Sequence, residues 1–214
     1  MDNTLKKHKA FWSNRSFMTS AFFGLALFAL SLAANFLSTA YATKSASNYV
    51  EDLIVSRLPV FNVSFIVNEG VLLFIIFVLA IFLVEPRRIP FTLKSMALFI
   101  FIRSIFVTLT HLGPFPERTF IDPTDWLQSL NSGDDFFFSG HTGLPFLVAL
   151  IFWKDRLIRY VSLAVSGVFG VSVLLGHLHY SIDVFSAFFI TYGIFHISRR
   201  FFKKDYELIF SEAQ

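Results

Sequence analysis

From Ser16 to Thr43 the chain carries no charged residue, and this run constrains the fold more than any other feature. About 20 apolar residues suffice for a helix to cross the ~30 Å hydrocarbon core of a bilayer. A basic segment with Lys6, Lys7, Lys9 and Arg15 precedes the run. Ala40 and Ala42 form a small-residue A-x-A pattern near its end, as a cleaved signal peptide would. The apolar stretch, however, exceeds the ~7–15 residues of a signal sequence. It is therefore read as a first spanning helix over 17–41.

Further apolar runs follow at 63–84, with Glu69 in its first third, at 95–112, with Arg103 inside it, and at 136–153, 160–178 and 184–198. Only 15% of the 214 residues are charged and 55% are hydrophobic, whereas an ordinary soluble domain has about 25% charged residues. The expected fold is all-α, a polytopic membrane protein with six transmembrane helices and a single integral membrane domain over 1–214. The chain has no cysteine, which excludes disulfides, thiolate metal sites and cysteine nucleophiles.

The connections set the expected orientation, because Lys and Arg gather on the cytoplasmic side. With a cytoplasmic N-terminus, six spans place fourteen of the eighteen basic residues inside; only Lys44, Arg57 and Arg118 lie in outer loops, and Arg103 lies within a helix. Both termini are thus expected in the cytoplasm. These basic clusters flank apolar runs, so they read as topology anchors and point to no nucleic-acid partner. The loop between the third and fourth runs, about 113–135, holds Pro114, Pro116, Pro123, Glu117, Asp122, Asp125, Asp134 and Asp135. It is expected to be an ordered, non-helical cap.

Ionisable residues that cannot reach the interface are functional candidates in a membrane. His141, in FFFSGHTGLPF, falls at the outer end of the fourth run; His179 and Asp183, in GHLHYSIDVF, fall between the outer ends of the fifth and sixth. All three are expected at one depth near the non-cytoplasmic face. A helical start there puts His179 and Asp183 on one face, so that the carboxylate accepts a hydrogen bond from Nδ1–H and leaves Nε2 as nucleophile or base. Ser139 is a natural N-cap, Gly140 clears the approach path, and the helix N-terminus offers N–H groups to a phosphate. His141, on the first turn, is placed to protonate a leaving oxygen. His177 points elsewhere and is assigned a supporting role. His111, ending the third run, is a candidate to line the same cavity. Arg103 is the one basic side chain deep in the helices near the site, assigned either to phosphate or to pairing with Glu69 or Asp135.

GDDFFFSGHT, ending at Thr142, and HYSIDV, from His179 to Val184, resemble the two histidine motifs of the type 2 phosphatidic acid phosphatase (PAP2) superfamily, and more specifically of its sphingomyelin synthase-like branch. RSIFVTLTHLGPFP, Arg103 to Pro116, resembles a third segment of that branch, so the motif-bearing core runs over 103–191. The resemblance implies a PAP2-like helical bundle and a histidine-dependent lipid phosphotransferase. A phosphate-containing head group would pass from a phospholipid to a lipid alcohol, with His179 as nucleophile, Asp183 as its partner and His141 as acid. Ser139, Gly140, Arg103, Asp135 and His111 would contact substrate. Phosphatase action with water as acceptor, and non-catalytic binding or transport of lipid phosphate, are the alternatives. No cofactor and no metal is called for, although Asp134, Asp135 and His111 form a lesser metal candidate. The chain departs from the classical phosphatases of the superfamily in having no Arg-Pro dipeptide and in placing Val173 six residues before His179, where they have arginine. Two phosphate-binding arginines are therefore missing.

Overall fold

Asn14 ends one helix and begins the next. In this computed structural model, which describes residues 2–119 and 136–210, its side-chain oxygen accepts the N–H groups of Ser16 at 2.9 Å and Phe17 at 3.3 Å, an N-cap that satisfies two otherwise orphaned donors. The polar helix before it is α1, Asp2–Trp12; the apolar helix after it is α2, Arg15–Lys44. There follow α3, Ser64–Val84, a 3₁₀ turn at Pro86–Arg88, α4, Ile89–Leu109, and α5, Gly140–Ile151. The chain continues through α6, Arg156–Leu175, α7, Ser181–Phe201, and α8, Lys203–Phe210. The described residues contain no strand.

Among the described residues five helices are long and apolar enough to cross a bilayer, namely α2, α3, α4 with its preceding turn, α6 and α7. These apolar helices mark an integral membrane protein. The expected fourth span is corrected from 136–153 to the 12 residues of α5, only ~18 Å long. Phe137 and Phe138 adopt φ of 91° and 29°, a left-handed backbone incompatible with helix, and Ser139 then caps α5. Phe138 is held there because its buried ring packs edge-on against Phe99 and Phe106. The other ends shift as well. α4 begins at Ile89 rather than 95, since Pro86 and Pro90 occupy first-turn positions where no N–H is needed. The fifth span stops at Leu175, and the sixth runs over Ser181–Phe201 instead of 184–198.

α2 lies along α4, α5 packs between α6 and α7, and α3 covers α6. The core joining α4, α5 and α7 includes Phe91, Phe99, Leu147, Val148 and Ile194, all almost fully buried. One end of the bundle is tied by ion pairs: Lys7 with Glu85, Arg88 with Asp155 at 3.3 Å, and Lys94 with Asp205 at 2.6 Å. These pairs recruit α1 and α8, two helices that a search for apolar runs does not find. The N-termini of α5 and α7 meet at the opposite end.

Candidate active site

The two histidine motifs are joined by their backbones before any side chain is considered. The Ser139 N–H, just ahead of α5, donates to the Asp183 carbonyl in the first turn of α7 at 3.0 Å. Asp183 also works through its side chain. Its Oδ2 accepts the Tyr180 N–H at 3.1 Å, closing a capping box, and lies 3.1 Å from His179 Nδ1. The same oxygen thus starts the helix and orients the imidazole. His179 precedes α7 rather than lying on it, so the expected helical i,i+4 pairing is corrected: the contact arises from the cap. His179 and Asp183 are 4% and 0% exposed, and Asp183 Oδ1 has no hydrogen-bond partner among the described residues.

With Nδ1 committed to Asp183, His179 keeps Nε2 without a hydrogen bond among the described residues. The His141 ring stands 6.5 Å from it, centroid to centroid, and also faces Phe169. A single phosphoryl group can bridge that gap. His141 occupies the second position of α5, where Ser139 caps the helix by accepting the Thr142 N–H at 3.4 Å. Pro145, inside α5, lacks the N–H that would bind the His141 carbonyl. The expectation that N–H groups from Ser139 to His141 face an anion is corrected at Ser139, whose N–H is used by Asp183. Those of Gly140 and His141 are left without an acceptor among the described residues.

Arg103 reaches this place from α4 and is 5% exposed. Its Nη1 donates to Asn35 Oδ1 on α2 at 2.9 Å, and its Nε to the Phe138 carbonyl at 3.3 Å. A Cβ on Gly140 would meet Arg103 Nε at 3.3 Å, so glycine lets the guanidinium lie against the first turn of α5. Pairing with Glu69 is corrected: Glu69 is exposed on α3 and forms no ion pair among the described residues. Asp134 and Asp135 lie outside the described residues. His111 is turned toward Tyr41, ring centroids 5.5 Å apart, and its Nε2 sits 3.1 Å from the Thr108 carbonyl. Among the described residues the structure gives it no contact with either imidazole.

His177 has a φ of 54° and lies in the turn after α6. Its two ring nitrogens contact the carbonyls of Glu117 and Leu58, each at 3.1 Å. Its separation from His179 therefore comes from an irregular turn and not from helical geometry.

Two further residues support the site and are not evident from sequence. Tyr180 donates its hydroxyl to the Gly113 carbonyl at 2.6 Å and accepts the Val50 N–H at 3.1 Å. Asp52 accepts the N–H groups of Ile54 and Val55 through Oδ1 and that of Ser181, the first residue of α7, through Oδ2 at 2.7 Å. Burial works to raise the Asp52 pKa, but the hydrogen bonds from Val55, Ser181 and Ile54 outweigh it and hold the carboxyl below its ordinary range. The sequence signal was an acidic residue two and three positions before backbone donors, an Asx pattern, but its partner in α7 is 129 residues away.

No group of metal-binding side chains is found among the described residues. No curated protein and no solved structure matches the chain. Residues 133–200 match a family model described as PAP2 superfamily C-terminal. That segment contains both histidine motifs and runs from the start of GDDFFFSGHT almost to the end of α7, so this part of the chain is similar to the C-terminal region of the PAP2 superfamily.

Proposed function

We propose that the protein is a membrane enzyme that transfers phosphoryl or phosphodiester groups of lipids through a histidine intermediate. The observation that carries this reading is the His179–Asp183 contact at 3.1 Å with the His141 ring facing it. An anion-binding site alone would need arginine or lysine more than an oriented imidazole pair. In the first step His179 Nε2 attacks phosphorus, a P–N bond forms, and the P–O bond to the leaving alcohol breaks as His141 gives that oxygen a proton. In the second step an acceptor oxygen attacks phosphorus, His141 takes its proton, and the P–N bond breaks. Asp183 stabilises the positive charge that develops on His179. The free N–H groups of Gly140 and His141, with Arg103 behind them, offset charge on the phosphoryl oxygens.

Head-group transfer to a lipid alcohol, as in the sphingomyelin synthase-like branch, is the finer form of this proposal, with both termini cytoplasmic and the imidazoles toward the non-cytoplasmic face. The test is to incubate purified protein with a phospholipid labelled in its head-group phosphate, with and without an added ceramide or diacylglycerol. Label appearing on the added lipid alcohol is the expected result. Label released only to water, whether or not the alcohol is present, would replace transfer by hydrolysis. No product from any phospholipid under either condition would sink the enzymatic reading.

A further inference from the structure

At the end of the bundle opposite the imidazoles, the 3₁₀ turn before α4, the α5–α6 connection and α8 line an open cavity of about 340 Å³, within the size range of small-molecule sites. Its cationic side comes from Arg87, Arg88 and Lys154, with Asp155 the one carboxylate; its apolar side comes from Phe152, Ile209 and Phe210. We infer that this cavity binds the phosphate of an anionic phospholipid from the adjacent leaflet, with Lys154 and Arg88 as the phosphate ligands.

The donors are available. Lys154 Nζ forms no ion pair or hydrogen bond among the described residues, resting instead 4.3 Å from the centre of the Phe210 ring. Arg88 is held over Phe152 at 4.9 Å and reaches Asp155 through Nη2 at 3.3 Å, while its buried Nε has no partner among the described residues. Asp155 is itself occupied as the N-cap of α6, accepting the Ile158 N–H at 3.2 Å. Arg87 is engaged by Glu85 at 3.0 Å and contributes field more than contact. A phosphate between Lys154 and Arg88 would meet a guanidinium that Asp155 answers through a single nitrogen.

The apolar half argues for a lipid over a free ion, since inorganic phosphate gains nothing from phenylalanine and isoleucine walls. The level is also right. Exposed Trp153 and Tyr160 flank the cavity in sequence, and both stack on Arg159, the amphipathic aromatic arrangement of a membrane–water boundary. Basic pockets between spanning helices are suited to acidic head groups.

Native mass spectrometry of the purified full-length protein, titrated with dioctanoyl phosphatidylglycerol, dioctanoyl phosphatidylcholine or inorganic phosphate, tests this. The wild type should retain the anionic lipid at least tenfold better than the zwitterionic one. Lys154→Gln, which alters an exposed side chain and should fold normally, and Arg88→Gln should each lower that retention severalfold, and His179→Ala should leave it unchanged. Competition by inorganic phosphate at matching concentrations would assign the same ligands to free phosphate and overturn the lipid assignment. Equal retention of the two lipids, or undiminished phosphatidylglycerol binding in Lys154→Gln, would overturn the inference. Loss in His179→Ala instead would place the lipid at the imidazole end, which overturns this site and leaves the proposed reaction standing.

Discussion

Asp52→Asn should weaken the start of α7 without touching a reacting group. The carboxylate uses both oxygens, Oδ1 for Ile54 and Val55 and Oδ2 for Ser181. Asparagine has one acceptor oxygen, so one of these two sets must face an amide NH₂. Losing a hydrogen bond to a charged acceptor costs ~1.5–3 kcal/mol, and removing a negative charge from a helix N-terminus costs ~0.3–1 kcal/mol more. Together these give about 2–4 kcal/mol, or roughly 4–16 °C in melting temperature for a chain of this size. The sign of the pH dependence follows from the depressed pKa. Stability from Asp52 is complete above the unfolded carboxyl pKa of about 3.9 and is lost as pH falls through the lower folded value. The gap between wild type and variant should therefore be full at pH 7 and close only at strongly acidic pH. Ser181 lies between His179 and Asp183 in the chain, and a misplacement of ~1 Å can cost up to about 100-fold in rate. Turnover should thus fall with KM little changed. Melting curves in one detergent from pH 3 to 7, with turnover at pH 7, measure both effects. Equal melting temperatures at pH 7, or a gap that widens on acidification, would refute the reasoning.

His179→Ala should abolish turnover and any covalent phospho-intermediate, whereas His177→Ala, which loses contacts to the Glu117 and Leu58 carbonyls and to the Phe115 ring, should lower melting temperature and keep measurable activity; acid-quenched labelling compares them, and equal loss with folding intact would mean that His179 is not the nucleophile. Arg103→Lys should slow turnover at least about tenfold, equal to ~1.4 kcal/mol of barrier, because a lysine cannot fork between Asn35, the Phe138 carbonyl and phosphate; full activity in a stable Arg103→Ala protein would eliminate the role. Gly140→Ala should displace the guanidinium that a Cβ would crowd and reduce turnover with little change in lipid partitioning, read by kinetics in mixed micelles. Tags on the two ends should be equally protected from protease in sealed vesicles of known orientation, and opposite accessibility would reject six crossings.

The spans were legible because hydropathy is a local property: each apolar run seen in the sequence overlaps one of the helices α2 to α7. Their ends were not, because they depend on contacts between distant residues. Nothing within FFFSGH marks Phe137 and Phe138 as left-handed; what fixes them is the pocket that Phe99 and Phe106 of α4 provide for Phe138. The polar helices α1 and α8 escaped for a related reason. They are held by Lys7–Glu85 and Lys94–Asp205, ion pairs whose partners lie far off in sequence. The His179–Asp183 spacing was readable, but its reason was not, since an i,i+4 separation looks the same on a helix and across a cap. Asn35 is one polar residue in an apolar run, and its partner Arg103 lies 68 residues away in sequence.

In the proposed reaction, the absence of the two arginines that the classical phosphatases carry leaves the question of what balances the phosphoryl charge, and the two helix N-termini answer it unequally. Each carries roughly half a positive charge from its aligned peptide dipoles. The N-terminus of α7 is already met by Asp183 within its own capping box and by Asp52 on Ser181. It has no charge left to offer, and its acidic neighbours would repel an anion. The N-terminus of α5 has no acidic residue in its first turn and only the Ser139 hydroxyl oxygen, at a long 3.4 Å, as cap. Gly140 and His141 keep their N–H groups, and Arg103 lies directly behind Gly140. A phosphate is therefore drawn to the α5 side of the gap while the nucleophilic nitrogen approaches from the α7 side. That polarity is the one in-line displacement needs: charge on phosphorus oxygens is stabilised by one helix, and Asp183 of the other serves the histidine.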